Sequence, residues 1–239
     1  MFDQQIADRI FFLGTMHIDH ASGVNVQKQI RNIKPDVVMI ELDSYRYQEL
    51  RKRSQLPTDA LVQEVASQTH KKKGNTKVQD GTTLLDRMQG FQLELGQMFG
   101  IMPGKEMLSA VDVAEAFEIP VQFIDRPIQQ TFERIQVLGD LIGKEQNALV
   151  GSMEKDSLSK DDIREMVEDI KDPQNVRQII ANFKSEYPEL YRVLIEERNE
   201  YMAEKIVSYA NKYPLHRIIV VIGGGHVEDM VNIVTARLK

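Results

Sequence analysis

"HRIIVVIGGGHVEDMVNIVTARL", residues 216 to 238, is a strand that runs into glycines and restarts as a helix. Ile218 to Ile222 are β-branched and apolar with no polar alternation, the pattern of a strand covered on both faces. Val227, Met230, Val231 and Val234 then recur at helical spacing, so the chain closes on an amphipathic helix. Three other runs read the same way: "RIFFLGT" (9–15), "DVVMIELD" (36–43) and "IPVQFID" (119–125). Four such strands separated by helical segments define an α/β fold, a central mostly parallel sheet flanked by helices.

Between the first two runs, "SGVNVQKQIRNIKP" (22–35) reads as a helix, with Ser22 as cap, Val26, Ile30 and Ile33 as its apolar stripe and Pro35 as its stop. That completes a βαβ unit. Most of the remainder forms a large helical insertion, in excursions over about 50–118 and 130–212. Leu84, Leu85, Met88, Phe91, Leu95, Met98 and Phe99 recur at helical spacing, and a further helix follows "MPGKE" to Phe117. The methionine-rich stretch 84–102 reads as core with an exposed face suited to a homodimer. Residues 50–80 are a polar excursion. Later helices break near "KDPQ" (171–174) and "EYPEL" (186–190), with Pro188 in the first turn of a helix reaching Tyr213.

The 239 residues suffice for a substantial core, and we expect one domain spanning 1–239. Thirty Lys and Arg against 36 Asp and Glu leave a formal charge of −6, which argues against a general grip on nucleic acid phosphates. No run approaches the roughly 20 apolar residues of a transmembrane span, and "MFDQQIADRI" has no secretory pattern, so the expected location is cytoplasmic. Cysteine is absent, which removes disulfides, thiolate ligands and thiol nucleophiles and leaves His, Asp and Glu as metal donors.

In open parallel sheets, ligands bind at the carboxyl ends of the strands. Each expected strand ends in reactive side chains: Thr15 and His17; Glu41, Asp43 and Arg46; Asp125 and Arg126; His226 and Glu228. Taken singly, these residues are commonly caps, turn formers or satisfied polar groups. Together, two imidazoles and a carboxylate make a common donor set for a divalent metal that keeps one position open for water. Gly14 and Gly223, Gly224 and Gly225 would let the backbone turn tightly enough for His17 and His226 to face one crevice. A helix amino end keeps an imidazole neutral but also repels a cation, so Glu41, Asp43 and Asp125 would have to outweigh it. His20 ranks as a supporting or surface residue, and His70 and His216 as exposed.

Leu190, Leu194, Glu197 and Tyr201 fall on one helical stripe, so a carboxylate interrupts an apolar face. Glu197 therefore needs a partner, with Arg198 beside it and Arg46 or Arg126 within reach of the fold; the plain alternative is a salt bridge fastening this helix to the sheet. "VVIGGGHVED" would also suit a phosphate cradle, although it matches neither G-x-x-x-x-G-K-[ST] nor G-x-G-x-x-G. H-E-x-x-H and G-x-S-x-G are absent.

The ordered blocks "GTMH" (14–17), "PDVVMIELDSYR" (35–46), "GKEMLSA" (104–110), "IDRPIQQTFER" (124–134), "EERNEYM" (196–202) and "VVIGGGH" (220–226) resemble the TraB family, which includes relatives of the pheromone-shutdown proteins and of the TIKI metalloproteases. The resemblance implies metal-dependent peptide hydrolysis, with His17, His226 and Glu41 as the metal-holding positions. It also implies site roles for Arg46, Asp125, Arg126, Glu197 and Arg198. Many members of the family continue into hydrophobic spans, whereas this chain stops at "TARLK", so membrane placement is not carried over. Related erythromycin-esterase-like folds use a histidine as general base without metal.

These readings converge on a hydrolase of peptide or peptide-like substrates in which His17, His226 and Glu41 hold Mn, Co or Zn. Glu197 or Asp43 would be the base, and an arginine would steady the oxyanion. In a metal-free variant His17 is the general base, oriented by Glu41. A non-catalytic protein would bind a peptide or anionic ligand through arginines and the glycine-loop amides of Gly14, Thr15 and Gly223 to Gly225. A purely structural polar network is the fourth alternative.

Overall fold

The computed structural model describes residues 4–15, 20–54, 105–155 and 172–238. Five strands form one sheet: β1 (Gln4–Ile6), β2 (Ile10–Thr15), β3 (Val37–Ile40), β4 (Val121–Phe123) and β5 (Ile218–Gly223). Their spatial order is β1-β2-β5-β3-β4, and every pairing is parallel except the β1–β2 hairpin. The connection from β2 through α1 (His20–Ile33) to β3 therefore skips one position. The last strand fills it, pairing with β2 from Ile10↔Ile218 to Thr15↔Gly223 and with β3 from Val37↔Ile218 to Ile40↔Val221.

The mostly parallel α/β sheet is as expected, with several local corrections. β3 ends at Ile40, so Glu41, Leu42 and Asp43 lie past the strand, and β4 is only three residues long. β1 was not anticipated from the sequence. Its hairpin turns on Ala7 and Asp8, both at positive φ (49° and 54°), without the glycine or asparagine that usually announces such a turn. α1 begins at His20, so Ser22 lies inside the helix and is not its cap. α2 (Ser44–Ser54) was also missed, because "SYRYQELRKRS" has no apolar stripe. The expected helix over 84–99, the 84–102 dimer face, His70 and most of the 50–80 excursion lie outside the described residues.

Alternate strand residues supply the two faces. Phe12, Val220 and Met39 sit side by side on one face and pack with Met202, Ile206, Val227, Met230 and Val234. Those partners come from α7 (Glu197–Lys212) and α8 (Val227–Arg237). Leu13, Val221, Val38 and Ile40 face the other way, onto Val26 and Ile30 of α1 and Met107, Ala110 and Ala114 of α3 (Lys105–Ala116). α7, which falls within the expected 130–212 excursion, is thus a covering layer of the sheet. A third cluster, beside the sheet, gathers Ile128, Ile135 and Ile142 of α4 (Ile128–Lys155) with Phe183 of α5 (Pro173–Glu186). Leu190 and Tyr191 of α6 (Pro188–Tyr191) complete it.

Between α6 and α7 the chain makes a π-helical turn, Arg192–Glu196. The Glu197 N–H donates to Arg192 O, five residues back, in place of Val193 O. No helix among the described residues is long and apolar enough to cross a membrane.

Met39 is fully buried in β3, between β5 and β4. Met39→Ala is expected to cost about 2–5 kcal/mol, seen as a lower urea midpoint with an unchanged m-value.

Candidate functional site at the carboxyl edge of the sheet

The segments leaving β3, β4 and β5 carry Glu41, Asp125 and His226 to one edge, where α7 brings Arg198. Arg198 is only 2% exposed, and a cation taken that far from water must be paired. Its Nε and Nη2 donate to Asp125 Oδ1 and Oδ2 at 3.1 and 2.6 Å, Nη2 also reaches Glu41 Oε1, and Nη1 donates to Leu194 O at 3.1 Å. Glu41 is 1% exposed and is held from the other side by the Gly223 N–H, which donates to Oε2 at 2.7 Å. The glycine turn after β5 does direct an amide at an anion, but that anion is the protein's own carboxylate.

Asp125 also accepts from its neighbour's N–H, Arg126 N, at 2.7 Å and from Arg46 Nη2. Burial alone would push its carboxyl up. The charges of Arg198 and then Arg46, with their hydrogen bonds, outweigh burial and hold it below the usual carboxylate range. Arg198 is correspondingly raised: burial works against its charge, and Asp125 and Glu41 more than restore it.

Asp43 is the cap of α2, with Oδ1 accepting from Tyr45 N (2.8 Å) and Arg46 N (3.0 Å). Its Oδ2 takes Arg46 Nε at 2.6 Å and Ile128 N at 3.3 Å, so one carboxylate fastens the starts of α2 and α4. Glu197 is paired as the stripe argument required, by Arg126 (2.8 Å) and also by Arg134 (3.0 Å), which the sequence reading did not name. Burial pushes Glu197 up, and the hydrogen bonds from Arg126 and Arg134 bring it below its ordinary value. Arg126 additionally donates to Thr131 Oγ1 and to Val193 O, the carbonyl that the π turn leaves without the Glu197 N–H.

His226 sits in the short turn Gly224–His226 and is 2% exposed. Nε2 lies 3.3 Å from Glu41 Oε1 and 3.5 Å from Arg198 Nη1, while Nδ1 meets Asn199 Oδ1 at 2.6 Å. Burial lowers its pKa below the ordinary imidazole value against the pull of Glu41, which favours the uncharged ring. Asn199 was missed because nothing in "EERNEYM" marks a lone amide as more than a helix-surface residue. Thr15 donates to Ile222 O (3.3 Å), and Gly14 pairs with Ile222 in the β2–β5 ladder. At Gly225 a Cβ would stand 3.3 Å from Ile180 Cδ1, so this glycine admits α5.

Glu41, Asp43, Arg46, Asp125, Arg126, Glu197, Arg198 and His226 are therefore linked through one network. His17 lies outside the described residues, as does the side chain of His20. Thr15, two positions before His17, pairs with Gly223. His216 is not freely exposed as expected: its ring stacks on Tyr213 and its Nδ1 lies 3.0 Å from Tyr209 Oη. Glu228 pairs with Arg177 at the surface.

A parallel sheet with this edge and this order of motifs places the chain in a defined class, and it belongs to the TraB/PrgY/gumN family, whose sequence model matches residues 4–235. It is 29% identical over 227 residues to uncharacterized protein MJ1365 of Methanocaldococcus jannaschii, covering 93% of this chain and 52% of that protein. It is 28% identical over 239 residues to the human TraB domain-containing protein, covering 92% and 61%, and equally identical to the bovine one, covering 92% and 60%. The chain thus spans between half and two thirds of the length of these relatives.

Asp125→Asn tests the electrostatic account. It leaves Arg198 and Arg46 short of a counter-charge and is expected to cost about 3–5 kcal/mol at pH 7. A depressed carboxyl contributes stability above the unfolded aspartate value of about 3.9 and loses it as pH falls below that value. Urea titrations from pH 6 to pH 3 should therefore fall more steeply for the unaltered protein than for the variant.

Proposed function

We propose that the protein is a metal-dependent hydrolase of peptide or peptide-like substrates, with its reacting centre at Glu41 and His226. The observation that supports this most directly is the convergence of Glu41 Oε1 and His226 Nε2 at 3.3 Å, with the ring's other nitrogen anchored by Asn199. Two donors about 2.1 Å from one tetrahedral ion lie roughly 3.4 Å apart, so this pair suits a shared divalent cation. Among the described residues no group of three His, Asp or Glu could hold a metal, and His17 is the proposed third donor.

A bound Mn, Co or Zn ion would lower the pKa of a water and polarise the scissile carbonyl. The chain's own groups prepare that position. Gly223 N–H and Arg198 fix the two oxygens of Glu41, and Asn199 fixes the imidazole. Arg198, 3.5 Å from Nε2, supplies fixed positive charge where an oxyanion develops. Asp43 and Glu197, candidates for the base on sequence grounds, are each engaged by two or more donors. We assign them to positioning, of α2 and α4 and of Arg126 respectively.

One observation favours a metal-free version: the Arg198 guanidinium already occupies Glu41 Oε1, where an ion would compete with it. In that version a histidine takes the proton from water directly.

The test is metal analysis of the purified protein together with turnover of a peptide library, with and without Mn, Co, Zn or a chelator. His226→Ala and Glu41→Gln are each expected to lower kcat/KM at least about 100-fold while far-UV circular dichroism is unchanged. Turnover that survives chelation with no bound metal would select the metal-free version. Peptide capture without any turnover would overturn the hydrolase reading.

A further inference from the structure

A neutral imidazole has one donor and one acceptor nitrogen, and the surroundings decide which is which. Around His226 those surroundings disagree. Glu41 Oε1, an acceptor 3.3 Å from Nε2, favours the proton on Nε2. Asn199 Oδ1, an acceptor only 2.6 Å from Nδ1, favours it on Nδ1.

The Asn199 amide is itself oriented. Its Nδ2 points at Asp229 Oδ2 (3.5 Å), and the same oxygen accepts from Tyr191 Oη at 3.2 Å. Turning the amide over would set its carbonyl against the Asp229 carboxylate. Arg198 Nη1, a donor 3.5 Å from Nε2, adds to the same preference. Asn199 is 1% exposed, so water does not substitute for it.

We propose that Asn199, locked by Asp229, is a positioning residue that keeps His226 protonated on Nδ1 and so presents the Nε2 lone pair beside Glu41. Neither residue touches the reacting atoms; they act through the ring. Orientation of a site histidine by a hydrogen bond at its second nitrogen is a general device whose loss costs about 10–100-fold in metal affinity or activity. Its catalytic consequence here rests on the hydrolase reading, whereas the protonation pattern stands without it.

The experiment is long-range proton–nitrogen correlation NMR on protein labelled with ¹⁵N-histidine, with the His226 signals assigned by their loss in His226→Gln. The unaltered protein is expected to show a protonated Nδ1 and an unprotonated Nε2. In Asn199→Leu, Glu41 becomes the stronger acceptor, and the proton is expected to move to Nε2. Asn199→Asp keeps an acceptor against the ring and should retain the original pattern. If Asn199→Leu fails to fold, Asp229→Leu removes the amide lock, together with the acceptor of Tyr191 Oη, while leaving Asn199 in place, and should give a mixture of both forms.

Protonation on Nε2 in the unaltered protein, or no change in Asn199→Leu or its substitute, would overturn the proposal. Where turnover is found, Asn199→Leu should lower kcat about 10–100-fold with little change in KM, and Asn199→Asp should recover most of it. The expected NMR pattern in a protein without turnover would sink the hydrolase reading and leave this one standing.

Discussion

A guanidinium shut away from water has to be met by carboxylates, and the edge of this sheet is organised by that requirement at Arg198. Glu41 arrives from the end of β3, Asp125 from the end of β4, and the cation itself from α7, at sequence separations of 157 and 73 residues. Gly223 joins through Glu41, and Arg46 through Asp125. Three parallel strands and two helices are thereby held in register by one charge network. Removing a member leaves its partners as buried unpaired charges, whereas apolar replacement of a whole pair is often harmless to stability. A network of this kind specifies position more than it adds stability, which is what a site needs and a plain core does not.

The π turn at Arg192–Glu196 serves the same end. An α-helical continuation would give the Glu197 N–H to Val193 O; here it goes to Arg192 O, and Val193 O accepts Arg126 Nη2 at 2.8 Å. Leu194 O, in the same turn, accepts Arg198 Nη1. Two arginines thus have their direction fixed by backbone carbonyls as well as by carboxylates. Irregular turns of this type cluster at functional positions because they re-aim side chains without breaking the helix.

The sheet was readable from the order of apolar residues because its central strands, β5 and β3, are buried on both faces and carry no polar alternation. Where a strand was short and its turn lacked the usual residues, as in Gln4–Ile6 with Ala7 and Asp8, no local signal existed. α2 is anchored by a cap and by surface ion pairs of Arg51 with Asp112 and Glu115, which leave no periodic trace. At the site, the residue types at strand ends could be named, but their pairings could not. Arg198 was considered for its neighbour Glu197 and instead reaches Asp125 and Glu41, because adjacent helix residues do not face one another. Asn199 escaped notice for the same reason in reverse: its partner is 27 residues away across a turn.

The strands that carry the two glycine–histidine motifs of the sequence are neighbours in the sheet. Because β5 enters the sheet last and lies between β2 and β3, the final residues of β2 and β5, Thr15 and Gly223, stand opposite one another. Gly14 and Gly223, more than 200 residues apart in sequence, thus lie on neighbouring strands one register step apart. The glycines do not share one task. Gly223 offers its N–H to Glu41, and Gly225 makes room for Ile180. The Gly223 amide, already given to an internal carboxylate, is not available to a ligand phosphate, and it serves to fix Glu41. The turn thus holds Glu41 through the Gly223 amide and carries His226 to the same edge, with the backbone as their support.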